Sequence, residues 1–258
     1  LRKKMWLVIA LLGLVTLLTG CMDVNQEITE DSDGFWNEVF VWPLVLLLRY
    51  VSELFGGSHG LGIIFVTILI RLILLPLNIK QLKSSKAMQE IQPEMQALRE
   101  KYSSKDASTQ QKLQQETMQL FQKHGVNPMA GCLPILIQMP ILIAFYHAIY
   151  RAPEFREGTF LWFELGSRDP YFILPVIAAG ATFLQQKLVM SSNPAASGNP
   201  QMTMMLYIMP IMIGVFAAIF PAALALYWVV GNIFMVVQTI FVHKPFSKKD
   251  ENAGGAKK

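Results

Sequence analysis

Long apolar runs separated by short polar stretches dominate the chain beyond residue 60, at 61–79, 133–150, 171–189, 204–220 and 222–242. A helix needs about 20 predominantly apolar residues to cross a bilayer, so each run predicts a spanning helix. Prolines interrupt several of them (Pro76, Pro134, Pro140, Pro175, Pro210), which membrane helices tolerate when neighbours re-satisfy the backbone. The fourth run is only about 26 Å long at 1.5 Å per residue and meets the fifth at Pro221. A short span in a tight hairpin is expected to thin the bilayer around it. Residues 35–55 read differently. Their uninterrupted apolar part, 39–48, is half a span, and Arg49 and Glu53 follow it. This pattern predicts an amphipathic helix lying in the outer interface, with a full span as the alternative.

The segment 80–132 carries a helical period instead. Met88, Ile91, Met95, Leu98 and Tyr102 form one apolar stripe, and Leu113, Thr117, Leu120 and Phe121 a second. The turn "SSKDAS" (103–108) lies between them, so an antiparallel helical hairpin is predicted. Its basic face is either simply solvated or a docking surface for anionic lipid heads or ribosomal RNA.

Composition agrees with a membrane protein: 53% of the residues are hydrophobic and only 16% charged, against about 25% charged in soluble domains. At the N-terminus, Arg2, Lys3 and Lys4 precede a short apolar core, the form of a secretory signal peptide over 1–20. It ends in Leu18-Thr19-Gly20-Cys21, which fits the lipobox of bacterial lipoproteins, so Cys21 is expected to be acylated. Charge then sets the sides. Eight basic residues fall within 80–132 and five lysines in the tail from His243, whereas 21–60 holds seven acids and one arginine. The positive-inside rule puts the N-terminus and the 151–170 loop outside, and the hairpin, the 190–203 loop and the 243–258 tail inside.

No catalytic motif survives inspection. The sequence has no G-x-S-x-G, H-E-x-x-H or phosphate loop, its four histidines are scattered, and its two cysteines have no metal-ligand spacing. Neither a metal, a cofactor nor a nucleotide is expected, and no enzyme activity. Aspartate and glutamate, which a proton-coupled pump usually needs, are missing from all five runs.

What the runs do contain is one deep cation and several neutral polar groups. Arg71 lies at the middle of the first run, and a central arginine costs at least ~2.5 kcal/mol. Thr67 and Asn78 share its helical face, at i−4 and i+7. Gln138 stands in the second run, Thr182 and Gln186 in the third, and Trp228 and Asn232 in the fifth, with Tyr227 adjacent. These groups would line a shared wet cavity, because none is stable facing lipid. A plainer reading also stands for Gln138, Thr182 and Asn232, as interhelical hydrogen bonds of ~0.6 kcal/mol each, and for Trp228 as packing. His147 is expected at the outer interface.

Five spans after a lipobox, an intramembrane arginine followed by "LILLP", and an inner helical hairpin resemble the YidC/Oxa1/Alb3 membrane protein insertases. "CLPILIQMPILIAFYHAIY" (132–150) and "PAALALYWVVGNIFMVVQ" (221–238) are similar to that family's most characteristic segments, and the short outer region resembles its Gram-positive lipoprotein members. Gly231-Asn232 stands where many members have two asparagines. The resemblance implies an all-α membrane protein with five spans around a hydrophilic groove open to cytoplasm and lipid. It implies an insertase and chaperone for nascent membrane proteins, working alone or with the Sec translocon in the bacterial plasma membrane. Ribosome contact through the hairpin and tail would follow. Arg71 would attract acidic client tails while Gln138, Gln186 and Asn232 replace lost water. A small-anion transporter and a non-translocating assembly scaffold are the competing classes.

Overall fold

A computed structural model describes residues 26–104, 106–127, 133–191 and 200–254. The signal segment, the expected lipidation site Cys21, Cys132 and most of the 190–203 loop lie outside the described residues. The chain is mostly helical. A π-helical turn, Asn37–Val41, leads into α1 (Trp42–Leu54). It is followed by α2 (His59–Glu90), α3 (Gln92–Lys101), α4 (Ala107–Lys123), α5 (Leu133–Arg151) and the single turn α6 (Pro153–Arg156). Then come β1 (Thr159–Phe160), β2 (Phe163–Glu164), α7 (Ile173–Ser191), α8 (Pro200–Ile219) and α9 (Ala222–Gly254). Among the described residues, His59–Ser84, Ile173–Met190 and Ala222–Phe241 are long and apolar enough to cross a membrane, and Met204–Ile219 is a shorter apolar helix.

Two of these helices outrun the apolar segments that predict them. The first run ends at Ile79, yet α2 continues to Glu90, because 80–90 holds Lys, Gln, Leu, Ala and Met and neither glycine nor proline. Likewise α9 passes residue 242 and ends only at Gly254. Hydropathy marks where a helix can meet lipid; the backbone ladder stops elsewhere.

The chain divides into two compact units. One takes in the described residues up to Arg71 together with Leu136–Ala179 and Met212–Gly231. Its core joins Val41 of the π-helical turn, Val45 and Leu48 of α1, Ile63 and Val66 of α2, Phe145 and Ile149 of α5, and Leu224 and Tyr227 of α9. The buried positions of α1 and its preceding turn (41, 44, 45, 48, 52) recur at helical spacing, while Leu46, Tyr50 and Leu54 form an exposed row on another face. That outward row is apolar. Gly62 lets α1 and α2 approach closely: a Cβ there would stand 2.1 Å from Ser52 Oγ and 3.2 Å from the Leu48 carbonyl oxygen. Ser52 itself is buried and donates to that same carbonyl at 2.7 Å.

The segment 151–170, expected as an outer loop, is built into this unit. Phe155, Phe163 and Leu165 are buried, and β1 and β2 pair antiparallel around a left-handed Leu161 (φ 53°). Carbonyls of Ser167 and Leu165 accept the first N–H groups of α9, from Ala222 at 2.6 Å and Ala223 at 3.0 Å, filling the vacancies a helix start leaves. Asp169, also buried, accepts from Trp162 Nε1 at 2.9 Å, Tyr171 N at 3.1 Å and Leu174 N at 2.7 Å, and so holds the start of α7.

One residue differs from its sequence-based expectation. His147, expected at the interface, is buried, with the edge of Trp36 against its ring (centroids 6.4 Å, 75°). The reason is the 26–41 segment, which covers the end of α5. Arg151 secures that cover. It is buried, its Nε donates to the Gln26 carbonyl at 2.8 Å and its Nη1 to Asn37 Oδ1 at 2.7 Å. Its own carbonyl accepts from Ile28 N at 3.1 Å.

The second unit comprises Leu72–Ile135, Gly180–Ile211 and the chain from Asn232 onward. In it α3 and α4 run antiparallel, with Tyr102 Oη donating to Glu116, Lys101 3.4 Å from Glu116 and His124 3.1 Å from Glu94. The Tyr102 hydroxyl, above all, holds the Glu116 carboxyl below the usual range. Asp106 caps α4: Ser104 and Ser108 hydroxyls and the Thr109 N–H all donate to it. These bonds, led by Ser104, push its pKa far below the ordinary carboxylate value. A depressed folded pKa means that the cap is fully effective above about pH 4, the unfolded value, and is lost as pH falls toward the folded one. Hydrogen-exchange protection at Thr109 and Gln110 should therefore drop on acidification, and should already be low at neutral pH in Asp106→Ala. Equal protection in both proteins would show that the cap contributes nothing.

Candidate functional site

Arg71 is where α2 and α9 meet within the first unit. Its guanidinium carbon lies 5.8 Å from the centroid of the Tyr227 ring, inside the ~6 Å range of cation–π attraction. Beyond the ring, one helical turn along α9, is Gly231, so close that a Cβ there would sit 2.6 Å from Arg71 Nη2 and 3.1 Å from Nε. Tyr227 and Gly231 are separated by four residues and thus share one face of α9. Tyr227 is 1% exposed and fixed from both ends. Its ring packs on Phe145 (centroids 4.6 Å, 36°), and its hydroxyl accepts from Gln138 Nε2 of α5 at 2.6 Å.

The cation is not neutralised. Arg71 Nε is buried and has no hydrogen-bond partner among the described residues. Ion pairs join Arg49 to Glu154, Lys101 to Glu116, His124 to Glu94 and Arg156 to Glu157, and Arg71 is in none of these. A buried donor without an acceptor is costly, and a guanidinium offers five donors in a fork that fits a carboxylate. This arrangement can receive an anion.

The other expected site residues are placed variously. Thr67 is buried, and its hydroxyl donates back to the Ile63 carbonyl at 2.6 Å, within its own helix. Trp228 is buried and meets the edge of Phe220 (6.4 Å, 69°). In the second unit, Asn232 Nδ2 donates to Thr182 Oγ1 at 2.6 Å, joining α9 to α7. Asn78 makes only a weak 3.9 Å contact with Met235 Sδ, and Gln186 is half-buried. So the structure brings Arg71 together with Gln138 through Tyr227, and separately pairs Thr182 with Asn232. Tyr227 and Gly231 were not among the expected site residues. Their four-residue spacing one position before Trp228 and Asn232 was the available signal.

Comparison with known proteins shows the family. The model of the 60Kd inner membrane protein family matches residues 50–250. Membrane protein insertase MisCA of Bacillus subtilis is 62% identical over all of this chain and 99% of its own length. Membrane protein insertase YidC of Oceanobacillus iheyensis is 60% identical, over 96% of this chain and all of its own. Among solved structures, an active YidC insertase with its first transmembrane domain resolved aligns at a TM-score of 0.62 and 26% identity. The alignment covers 80% of this chain and 47% of that longer one.

Proposed function

Because the chain belongs to the 60Kd inner membrane protein family and is a membrane protein insertase, we propose that Arg71 draws acidic client tails into the membrane. A client's short N-terminal tail must cross outward, and its carboxylates make that crossing costly. Arg71 offers an unpaired guanidinium partway, and Gln138 with Tyr227 offers neutral hydrogen-bonding groups beside it. In the second unit Thr182, Asn232, Asn78 and Gln186 supply further polar groups within apolar helices; Thr67 and Trp228 act by shaping the wall. The client's apolar helix then passes into lipid, where it is stable. Membrane potential assists, since an anion moving outward gains ~2.3 kcal/mol per 100 mV.

The same reading has five spans, an outer N-terminus held by acylated Cys21, and an inner hairpin and tail. The basic charge of hairpin and tail suits the ribosome, and the insertase works alone or with the Sec translocon. No nucleotide or metal enters the scheme. Its single strongest support is the unneutralised Arg71 inside an apolar run with its Nε buried and unpaired. The test is a photo-crosslinking residue at position 138, which leaves Arg71 in place. It should form adducts with the acidic tail of a stalled nascent membrane protein, and few in Arg71→Ala. Adducts of equal yield in both proteins would remove Arg71 from the client's path.

A further inference from the structure

We infer that Gly231 is a positioning residue, the seat that fixes the Arg71 guanidinium for its client. The inference rests on the anion-attracting reading of Arg71 given above. A hydrogen is the only side chain that leaves room. The three atoms nearest to a Cβ at 231 would be Nη2, Nε and Cζ of Arg71, at 2.6, 3.1 and 3.2 Å. Ordinary contacts between such atoms begin near ~3.5 Å, so an alanine would push the head back by roughly 1 Å. The guanidinium is already 5.8 Å from the Tyr227 centroid. A retreat of that size carries it past the ~6 Å limit of the cation–π contact.

The displaced group is the far end of a flexible side chain, not backbone, so the helix itself can accept the methyl group. Alanine is in fact the better helix former. Gly231 is buried, and so is the Tyr227 ring one turn before it. Ring and glycine together form a shallow notch on α9. The notch holds the cation against a wall that Gln138 braces through the Tyr227 hydroxyl. A glycine kept for helix packing would face another helix's backbone; this one faces the functional side chain.

The experiment uses the full chain in phospholipid vesicles. Two clients are compared, one with an acidic N-terminal tail and one with the acids replaced by neutral residues, and protease-protected tail is the readout. Gly231→Ala should lower insertion of the acid-tailed client by roughly threefold or more, the scale of a lost cation–π contact. The neutral-tailed client should be unaffected, and the melting temperature in detergent unchanged. In an Arg71→Ala background, Gly231→Ala should cost nothing more. In an Arg71→Lys background it should also cost little, because a compact ammonium has no planar fork to meet the new methyl group.

Equal losses on both clients, or a further loss in the Arg71→Ala background, would make Gly231 a packing glycine and overturn the seat. The seat also falls if Arg71→Ala distinguishes the two tails and Gly231→Ala does not; the attraction by Arg71 would then stand. If Arg71→Ala itself treats both tails alike, the attraction and the seat fall together.

Discussion

Arg71→Ala is expected to lower the yield of inserted acid-tailed clients by tenfold or more, while Arg71→Lys keeps most of it. Coulomb attraction sets the scale. Two unit charges 4 Å apart attract by about 4 kcal/mol at an effective dielectric constant of 20. Arg71 is half-buried rather than enclosed, so solvent screening takes a large part of that. A remainder of about 1.4 kcal/mol is still a factor of ten. Lysine preserves the charge and loses the fork, so its defect should be the smaller. The loss should grow with the number of acids in the tail and vanish for a neutral one. Equal insertion of every client by the alanine protein would sink the electrostatic account, and small-anion flux through the wild-type protein in liposomes would favour a transporter instead.

The arginine was legible in the sequence because the penalty for a buried cation does not depend on how the helices pack. A lone guanidinium inside an apolar run, with no acid in any other run, stands out wherever its neighbours are. The neighbours themselves were less legible. Trp228 and Asn232 were the conspicuous polar positions of the fifth run, yet the face that meets Arg71 is the one through Tyr227 and Gly231. A rotation of about 100° separates successive residues on a helix, and apolar periodicity cannot fix it when a helix is apolar on all sides. Thr67 shows a related limit. It stands one turn before Arg71 on α2, but a hydroxyl can bond its own helix, as it does to Ile63. Glycine carries no side chain for a pattern to register, so Gly231 emerges only from coordinates.

The segment 151–170 was the least legible part. Its charges, three arginines against four acids over 151–170, say only which side of the membrane a loop there is expected on. Arg151 and Asp169 are both buried, each answering backbone or side-chain groups of distant or neighbouring segments. Charge counts can assign such a loop to a side of the membrane, but they do not say which charges face water. The apolar residues between them, Phe155, Phe163 and Leu165, form no period that a short segment could reveal.

Asp169 makes the second large prediction, one of stability. Its carboxylate accepts three hydrogen bonds, from Trp162 Nε1, Tyr171 N and Leu174 N. Through them it ties the turn between β1 and β2 to the start of α7, where a negative charge also suits the helix dipole. Asp169→Ala leaves all three donors without it. Those of Trp162 and Tyr171 are only part-buried and can turn partly to water, but the Leu174 bond is buried. With about 1–3 kcal/mol for each buried donor left unsatisfied, and less for the others, the total loss should be roughly 3 kcal/mol. The measurement is thermal melting of the full chain in detergent. Asp169→Asn keeps one acceptor oxygen but turns the other into a donor, so its loss should fall between alanine and wild type. The neighbouring Arg168 is exposed, its Nε donating to the Ile219 carbonyl at 3.0 Å. Its replacement by alanine should shift stability by no more than about 0.5 kcal/mol. Equal melting of Asp169→Ala and Arg168→Ala would mean that α7 is held by its packing alone, and that the buried carboxylate adds nothing to it.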